Sequence, residues 1–241
     1  MMTNDSFSLH AIGTISTPFR QKFAIPRQPN LANARGQITL YPEYSDPRVF
    51  KGLEVFSHIW VLFLFHKNID KGWKPAVKAP RLGGNTTLGV FASRSTHRPN
   101  NIGMSALKNL GIEQINNRLV LHVEGVDLLN GTPIIDIKPY LPYADSLEHA
   151  HEALDALDNY QPIPQKEVVI SPEAKAELEI AAQKYADLPT LIVAVLAQDP
   201  RPAYRHSVSV DTKIYRTSLY EYDISFVVKE EVIHVLSINA L

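Results

Sequence analysis

Along the first 140 residues, short apolar runs alternate with polar positions at a spacing of about two, and turn-forming residues separate one run from the next. Leu9 to Ile15, Gln37 to Tyr41, Ser57 to Phe65, Thr87 to Ala92, Arg118 to Val126 and Pro133 to Ile137 each read as a strand. Asn130-Gly131 supplies the turn before the last of them. Few convincing helical patterns lie between these runs, which predicts an antiparallel sandwich or barrel over parallel βαβ units. No Gly-x-Gly-x-x-Gly follows a strand and opens a helix, so the pattern argues against a Rossmann nucleotide site.

The pattern changes after residue 144. Asp145, Glu148, Glu152, Asp155 and Asp158 make an acidic connector that ends in Gln161-Pro162-Ile163-Pro164. Ser171-Pro172-Glu173 then reads as a helix start, with a serine cap, a proline at the first helical position and an acid near the positive end of the dipole. This helix runs to Tyr185, and Leu191 to Ala197 forms a second, more apolar one that Pro200 and Pro202 forbid from continuing. Tyr222, Ile224, Phe226 and Val228, then Val232, His234, Leu236 and Ile238, alternate with polar partners around a Lys229-Glu230-Glu231 turn, giving a terminal hairpin. The expected fold is a mostly β N-terminal domain over 1–145, a small antiparallel β-barrel of non-Rossmann type. A linker over 146–166 and a small α+β C-terminal domain over 167–241 follow it.

Composition narrows the setting. At 241 residues the chain can bury a full core, as one long domain or two smaller ones. No apolar run approaches the ~20 residues a membrane span needs, and Met1 to Asp5 has no basic-then-apolar signal. Zero cysteines exclude disulfides, thiolate zinc sites and cysteine nucleophiles. His149 and His151 stand two apart in an acidic stretch and read as solvated histidines, so no metal is expected. A cytoplasmic protein without membrane association is the simplest reading.

Charge is unevenly placed. Residues 1–100 hold 13 Lys+Arg and 5 Asp+Glu, a balance of +8, whereas residues 101–241 hold 11 and 20, a balance of −9. Lys67, Lys71, Lys74, Lys78 and Arg81 fall within fifteen residues that contain one acid, Asp70, and also Trp73. Such a stretch can attract a polyanion through counterion release and offer a ring for stacking, although solvated loop lysines have the same composition. The run Ser93-Arg94-Ser95-Thr96-His97-Arg98-Pro99-Asn100-Asn101-Ile102-Gly103 concentrates two guanidiniums, an imidazole, hydroxyls and amides after an apolar run. Pro99 fixes one dihedral and pushes Arg98 towards an extended backbone, so the loop is expected to be stiff. Arginines held this way suit carboxylate or phosphate.

Six segments in order carry a family resemblance. They are Phe23 to Pro29, Gly52 to Trp60, Pro80 to Asn85, the Arg94 loop, Asp136 to Tyr143, and Ala197 to Tyr204. Together they resemble the TrmO family, formerly TsaA or YaeB, over nearly the whole chain. The resemblance implies a tRNA methyltransferase that uses S-adenosylmethionine and adds a methyl at N6 of threonylcarbamoyladenosine beside the anticodon. It also implies a β-barrel cofactor domain and a homodimer. The implied cofactor site is Pro26, Arg27, Gln28, His66, Lys67, Arg94, Asp127, Leu128, Leu129 and Asn130. Within it, Arg27 or Arg94 would take the methionine carboxylate, and backbone groups of Leu128 to Asn130 the adenine edge. Asn130 stands where the family usually has an acid. Asn101 stands where it usually has a proline, which predicts a less rigid loop.

For the acceptor, His66 and Asp136 are the candidates for proton handling, with Tyr140 or Tyr143 as polar or stacking groups. Read from the residues alone, His66 equally caps an apolar strand end, and Asp136 equally belongs to a salt bridge near Lys138. Arg98 or Arg201 could take the threonyl carboxylate. Lys71, Lys74, Lys78 and Arg81 are expected on RNA phosphates, Arg98, Asp199, Arg201 and Tyr204 at further RNA contacts, and Trp73 or Tyr204 in stacking. The Asp199-to-Tyr204 run also reads as a helix-ending turn that ties the two domains together. A non-catalytic module that binds S-adenosylmethionine or RNA is the alternative from another functional class.

Overall fold

The computed structural model describes residues 6–78, 87–147, 150, 164–202, 205–206, 208 and 210–241. Its N-terminal half contains β1 (Gly13–Ser16), β2 (Arg35–Leu40), β3 (His58–Leu64), β4 (Ala76–Lys78), β5 (Thr87–Gly89), β6 (Ile102–Ile115), β7 (Arg118–Glu124) and β8 (Thr132–Pro139). Six of these close into a barrel in the order β1-β2-β7-β6-β3-β8, every neighbouring pair antiparallel. Closure leaves no open sheet edge. In β3 the alternation is complete: Ile59, Val61 and Phe63 are buried, while the residues between them are half-buried. Ile15, Ile38, Leu107, Leu121, Val123 and Ile134 join them in the core, each at 1 % exposure or less. Each such side chain contributes about 1.5–3 kcal/mol relative to exposure.

The 14-residue β6 has no counterpart in the sequence reading. Its inward positions begin with Gly103 and Ser105, while Met104 faces out at 55 % exposure, so the expected apolar alternation is inverted there. Gly103 is opposite Phe63, and a Cβ at 103 would lie 2.4 Å from that ring. The aromatic ring occupies the space that an ordinary strand residue would fill. Farther along, the register slips between Asn109 and Gly111. Gly111 has φ 109°, a backbone that suits a β-bulge. The run expected as one strand from Thr87 to Ala92 is instead the short β5, paired with β4, followed by a 3₁₀ turn over Val90–Ala92.

After α1 (Pro142–Asp145), the C-terminal half contains β9 (Val168–Ile170), α2 (Pro172–Lys184), α3 (Leu188–Leu196), β10 (Val210–Leu219), β11 (Tyr222–Lys229) and β12 (Val232–Ala240). The sheet order is β10-β11-β12-β9, with β9 parallel to β12. Ser171 Oγ accepts from the Ala174 N–H at 3.2 Å, and Pro172 and Glu173 occupy the first turn of α2, as the start signal requires. Ala174, Leu178 and Ala181 form its buried stripe, and α3 adds Leu188, Leu191, Ile192, Val195 and Leu196. The α2 face packs on β12.

The two halves meet at the segment between β1 and β2. Phe19 forms an antiparallel bridge with Leu219, and both are buried to 1 % exposure. The Tyr220 N–H donates to the Pro18 carbonyl at 2.8 Å, and Arg20 Nε to the Tyr220 carbonyl at 2.9 Å. Gln198 Nε2 donates to the Leu31 carbonyl at 3.3 Å.

The far end of that segment rests on Gly125. Gly125 has φ 84°, and a Cβ there would sit 2.0 Å from Asn30 Oδ1. Its N–H donates to Ala34 and its carbonyl accepts from the Asn30 N–H, both at 2.9 Å. A side chain would break this approach and strain the backbone together. Gly125→Ala is therefore expected to cost about 1–3 kcal/mol, read as a lower urea midpoint by circular dichroism. An unchanged midpoint would show that the β1–β2 segment does not need this contact.

Candidate active site

Four stretches of non-strand chain converge over the β3–β6 pair and enclose a cavity of about 580 Å³. They are Ile25–Pro29 between β1 and β2, Phe65–Asn68 after β3, the Ser93-to-Arg98 run before β6, and Asp127–Leu129 after β7. Trp60, Phe63, Leu64 and residues 102–106 of the two strands complete the wall. Of the cofactor set that the resemblance implies, Pro26, Arg27, Gln28, His66, Lys67, Arg94, Asp127, Leu128 and Leu129 all line this cavity. Asn130 does not. Its Oδ1 accepts from the Thr17 N–H at 3.0 Å, and its own N–H donates to the Phe19 carbonyl at 2.8 Å, so it clasps the turn onto β1. The Leu129 carbonyl accepts from the Thr132 hydroxyl at 2.7 Å, which occupies another backbone group expected at an adenine edge.

Hydrogen bonds brace the Ser93-to-Gly103 loop in addition to Pro99. Ser93 Oγ donates to the Val90 carbonyl, and the N–H groups of Ser95 and His97 donate to the hydroxyls of Ser93 and Ser95. Arg98 Nη1 reaches the carbonyls of Val90 at 3.1 Å and Ser93 at 2.6 Å, and its guanidinium lies 5.9 Å from the Phe91 ring centre. Arg98 therefore braces its own loop, with part of its donor set spent there. Asn101 does not loosen the loop. Its φ of 51° lies outside proline's range, and its N–H closes a turn onto the Arg98 carbonyl at 3.2 Å, a bond proline could not donate.

Arg94 hydrogen-bonds the Gln28 side-chain oxygen and so ties this loop to the β1–β2 segment. Asp127 accepts from Ser105 Oγ at 2.7 Å. Packed protein encloses most of Asp127, and burial pushes its carboxyl up to about 6, while the Ser105 hydrogen bond and the Arg94 charge pull the other way. Burial, then the Lys67 charge, lowers His66 below its ordinary value, so its imidazole is neutral at pH 7 and keeps a lone pair. The cavity thus presents a cation, a carboxyl and a neutral base on fixed supports.

Asp136 stands elsewhere. It is opposite Leu62 on the outward positions of the β3–β8 pair and bonds Lys138 at 2.7 Å, so its placement matches the salt-bridge reading and not proton handling in the cavity. Asp127 is the carboxyl within the cavity wall. Tyr140 packs against Trp60 and His58 at ring distances of 5.4 and 6.5 Å without reaching the cavity, and Tyr143 is 86 % exposed.

Lys71, Lys74 and Lys78 are exposed beside the exposed Trp73, and the Lys74 N–H donates to the His97 carbonyl at 3.2 Å. Arg81 and Tyr204 lie outside the described residues. Arg201 and Asp199 are buried and form a two-point pair, with both hydrogen bonds at 2.8 Å. Arg201 Nη1 is 3.6 Å from Asp211, which accepts the Tyr215 hydroxyl at 2.7 Å. Burial works to raise the Asp199 carboxyl, and the Arg201 hydrogen bonds with the surrounding cations hold it below the usual range. A guanidinium with no exposed surface cannot touch RNA or a substrate carboxylate. The tie between helix end and sheet is what this pair provides.

The sequence reading did not single out Lys22, Asn68, Thr96 or Ser105 as site residues, although all four line the cavity. The available signal was proximity: Lys22 precedes Pro26 by four positions, and Thr96 follows Arg94 by two. Among the described residues, no group of three or more His, Asp or Glu side chains is placed to hold a metal ion, and no helix is long and apolar enough to cross a membrane.

Residues 14–146 match the tRNA-methyltransferase O N-terminal domain, and residues 163–241 match the TrmO C-terminal domain. A protein of Escherichia coli (strain K12) named tRNA (adenine(37)-N6)-methyltransferase is 43% identical over 223 residues, 91% of this chain and 92% of that protein. A protein of Methanothermobacter thermautotrophicus named "Probable S-adenosyl-L-methionine-binding protein" is 34% identical over 149 residues, 61% of this chain and 98% of its own length. A crystal structure of TrmO from P. aeruginosa superposes with a TM-score of 0.81 at 37% identity, each chain covered fully. The chain belongs to the TrmO family.

The Asp127 environment makes a measurable demand. Ser105→Ala removes a donor that favours the carboxylate, so the Asp127 carboxyl should titrate above the value of about 6 set by burial with that bond in place. A ¹³C carboxyl titration by NMR reads this directly. A midpoint that stays put or falls would show that Ser105 does not stabilise the charged form.

Proposed function

We propose that this chain is an S-adenosylmethionine-dependent tRNA methyltransferase acting on N6 of threonylcarbamoyladenosine at position 37, beside the anticodon. The observation that carries this reading is one cavity holding Arg94, Gln28, Asp127 and His66, with Lys71, Trp73 and Lys74 on chain tied to its wall. Membership of a family whose E. coli relative is named for adenine(37)-N6 methylation supports the substrate class.

The residues fit the cofactor. A volume of about 580 Å³ with apolar and polar walls suits a nucleoside joined to a charged amino acid. Arg94 would take the carboxylate, Asp127 a cationic group or N–H donor, and the Phe63 and Leu128 side the apolar surface. When bound, S-adenosylmethionine supplies a methyl on a positively charged sulfur for in-line transfer. The protein's own work is alignment and exclusion of water. The braced Ser93-to-Gly103 loop and the clasped Asp127-to-Gly131 turn provide it. The acceptor nitrogen sheds a proton as it gains the methyl, and neutral His66 is the group in the wall best suited to receive it.

We further assign residues 1–145 to cofactor binding, 146–166 to a connector and 167–241 to a domain that supports the cavity from outside. Exposed Lys71, Lys74 and Lys78 serve RNA phosphates, and Trp73 a base. An anticodon-loop base is already single-stranded, so presenting it costs little unstacking. The protein acts in the cytoplasm as a homodimer.

The test uses tRNA lacking the methyl group, incubated with the protein and S-adenosylmethionine, followed by nucleoside mass spectrometry. Threonylcarbamoyladenosine should gain one methyl while unmodified adenosine gains none. No gain on intact tRNA would contradict the reading. Arg94→Ala should weaken cofactor binding by about tenfold or more, the value of a charged hydrogen bond, measured by titration calorimetry. Unchanged affinity would remove Arg94 from the cofactor's binding groups.

A further inference from the structure

The cavity has two polar ends of different character. At one, Arg94 acts on Asp127, which also bonds Ser105, so opposite charges face each other. At the other stands Lys22, at the rim of the same cavity on the β1–β2 segment. Its ammonium donates to Asn68 Oδ1 and, at 3.3 Å, to the Lys67 carbonyl. Asn68 is only 4 % exposed, and its Nδ2 reaches Thr96 Oγ1. Three separate loops are thereby joined around one ammonium.

No carboxylate among the described residues is paired with Lys22. Partial burial, then the Lys71 and Lys67 charges, pushes the ammonium below its ordinary value, which is the behaviour of a cation gathered with like charges. An ammonium has three donors, and two of these are held by protein acceptors. Asn68 fixes the position, leaving donor capacity for a ligand in the cavity. The charges acting on this end are positive.

The chemistry of the two ligands divides between the ends. The methionine part of S-adenosylmethionine carries an ammonium with its carboxylate, which suits the end of mixed sign. In threonylcarbamoyladenosine the threonine nitrogen is part of a urea and bears no charge, leaving a carboxylate alone. That group suits the end where charge is all positive. Of the two arginines expected for this task, Arg201 is buried beside Asp199, and Arg98 lines the cavity but spends its Nη1 on two carbonyls of its own loop.

We propose that Lys22, positioned by Asn68, forms an anion subsite for the carboxylate on the N6 substituent of the acceptor adenosine and so selects the modified base. This rests on the methyltransferase reading for its substrate, and the test separates the two. The free nucleoside threonylcarbamoyladenosine and its neutral carboxamide analogue are titrated into wild type, Lys22→Met and Lys22→Arg, each with S-adenosylhomocysteine bound. Wild type should prefer the carboxylate by about tenfold or more. Lys22→Met should lose that preference while binding the carboxamide as before, and Lys22→Arg should recover part of it. Affinity for S-adenosylhomocysteine should not move, while the melting temperature should fall in Lys22→Met, which leaves the buried Asn68 Oδ1 without its donor.

A retained preference in Lys22→Met would overturn the subsite. So would an equal loss for both nucleosides, or a matching loss of S-adenosylhomocysteine affinity, which would assign Lys22 to the cofactor's carboxylate. With whole tRNA, a loss that is the same for modified and unmodified molecules and comes with a shallower salt dependence of binding would instead mark a backbone phosphate contact and also overturn it. If wild type shows the preference but transfers no methyl, the catalytic reading fails and the subsite stands.

Discussion

The packing of Phe19 against Leu219 is the contact on which the cavity depends. The β1–β2 segment carries Lys22 and Pro26 to Gln28, yet it has no ladder of its own to satisfy its backbone. Its groups find partners elsewhere. The Pro18 carbonyl accepts from Tyr220, the Phe19 carbonyl from Asn130, and the Asn30 N–H donates to Gly125. Ala24 is held at φ 65°, a left-handed backbone that costs a residue with a side chain about 1–2 kcal/mol. Burial of Phe19 and Leu219 is of the size needed to offset it. The C-terminal domain thus acts on the cavity by fixing the strip that lines it, although Leu219 does not itself line the cavity.

Three arginines show how environment divides one side chain among different tasks. Arg94 reaches across to Gln28 and faces Asp127. Arg98, four positions on, folds back onto two carbonyls of its own loop. Arg201 is fully buried in a pair with Asp199, where its planar fork matches the carboxylate at two points. A paired charge without exposed surface holds a chain reversal together and cannot recruit a ligand. Lysine is the natural partner for Asn68 at the rim, because a compact ammonium can serve protein acceptors and a ligand at once.

Much of the fold was legible because burial leaves a period in the sequence. Strand β3, the Ser171 cap and the terminal hairpin follow from local rules that tertiary packing did not override. Strand β6 was hidden because its inward face opens with Gly103 and Ser105, which fit the Phe63 ring on the neighbouring β3 and the Asp127 carboxyl after β7. No local period records a partner forty residues away. The stretches expected at the cofactor converge as the resemblance implies, but Asp136, Asn130 and Arg201 show its limit. Each has the right chemistry, and its neighbours in space already use it. Lys22 is the converse case, a single lysine whose meaning appears only once Asn68 and Thr96 are brought beside it.

Hydrogen–deuterium exchange on Leu219→Ala, with cofactor affinity measured on the same preparation, tests the dependence of the cavity on this clamp most directly. Faster exchange across residues 18–30, together with weaker S-adenosylmethionine binding while the barrel strands keep their protection, is the predicted result. Unchanged exchange in that segment and unchanged affinity, in a protein whose C-terminal packing is measurably loosened, would contradict it.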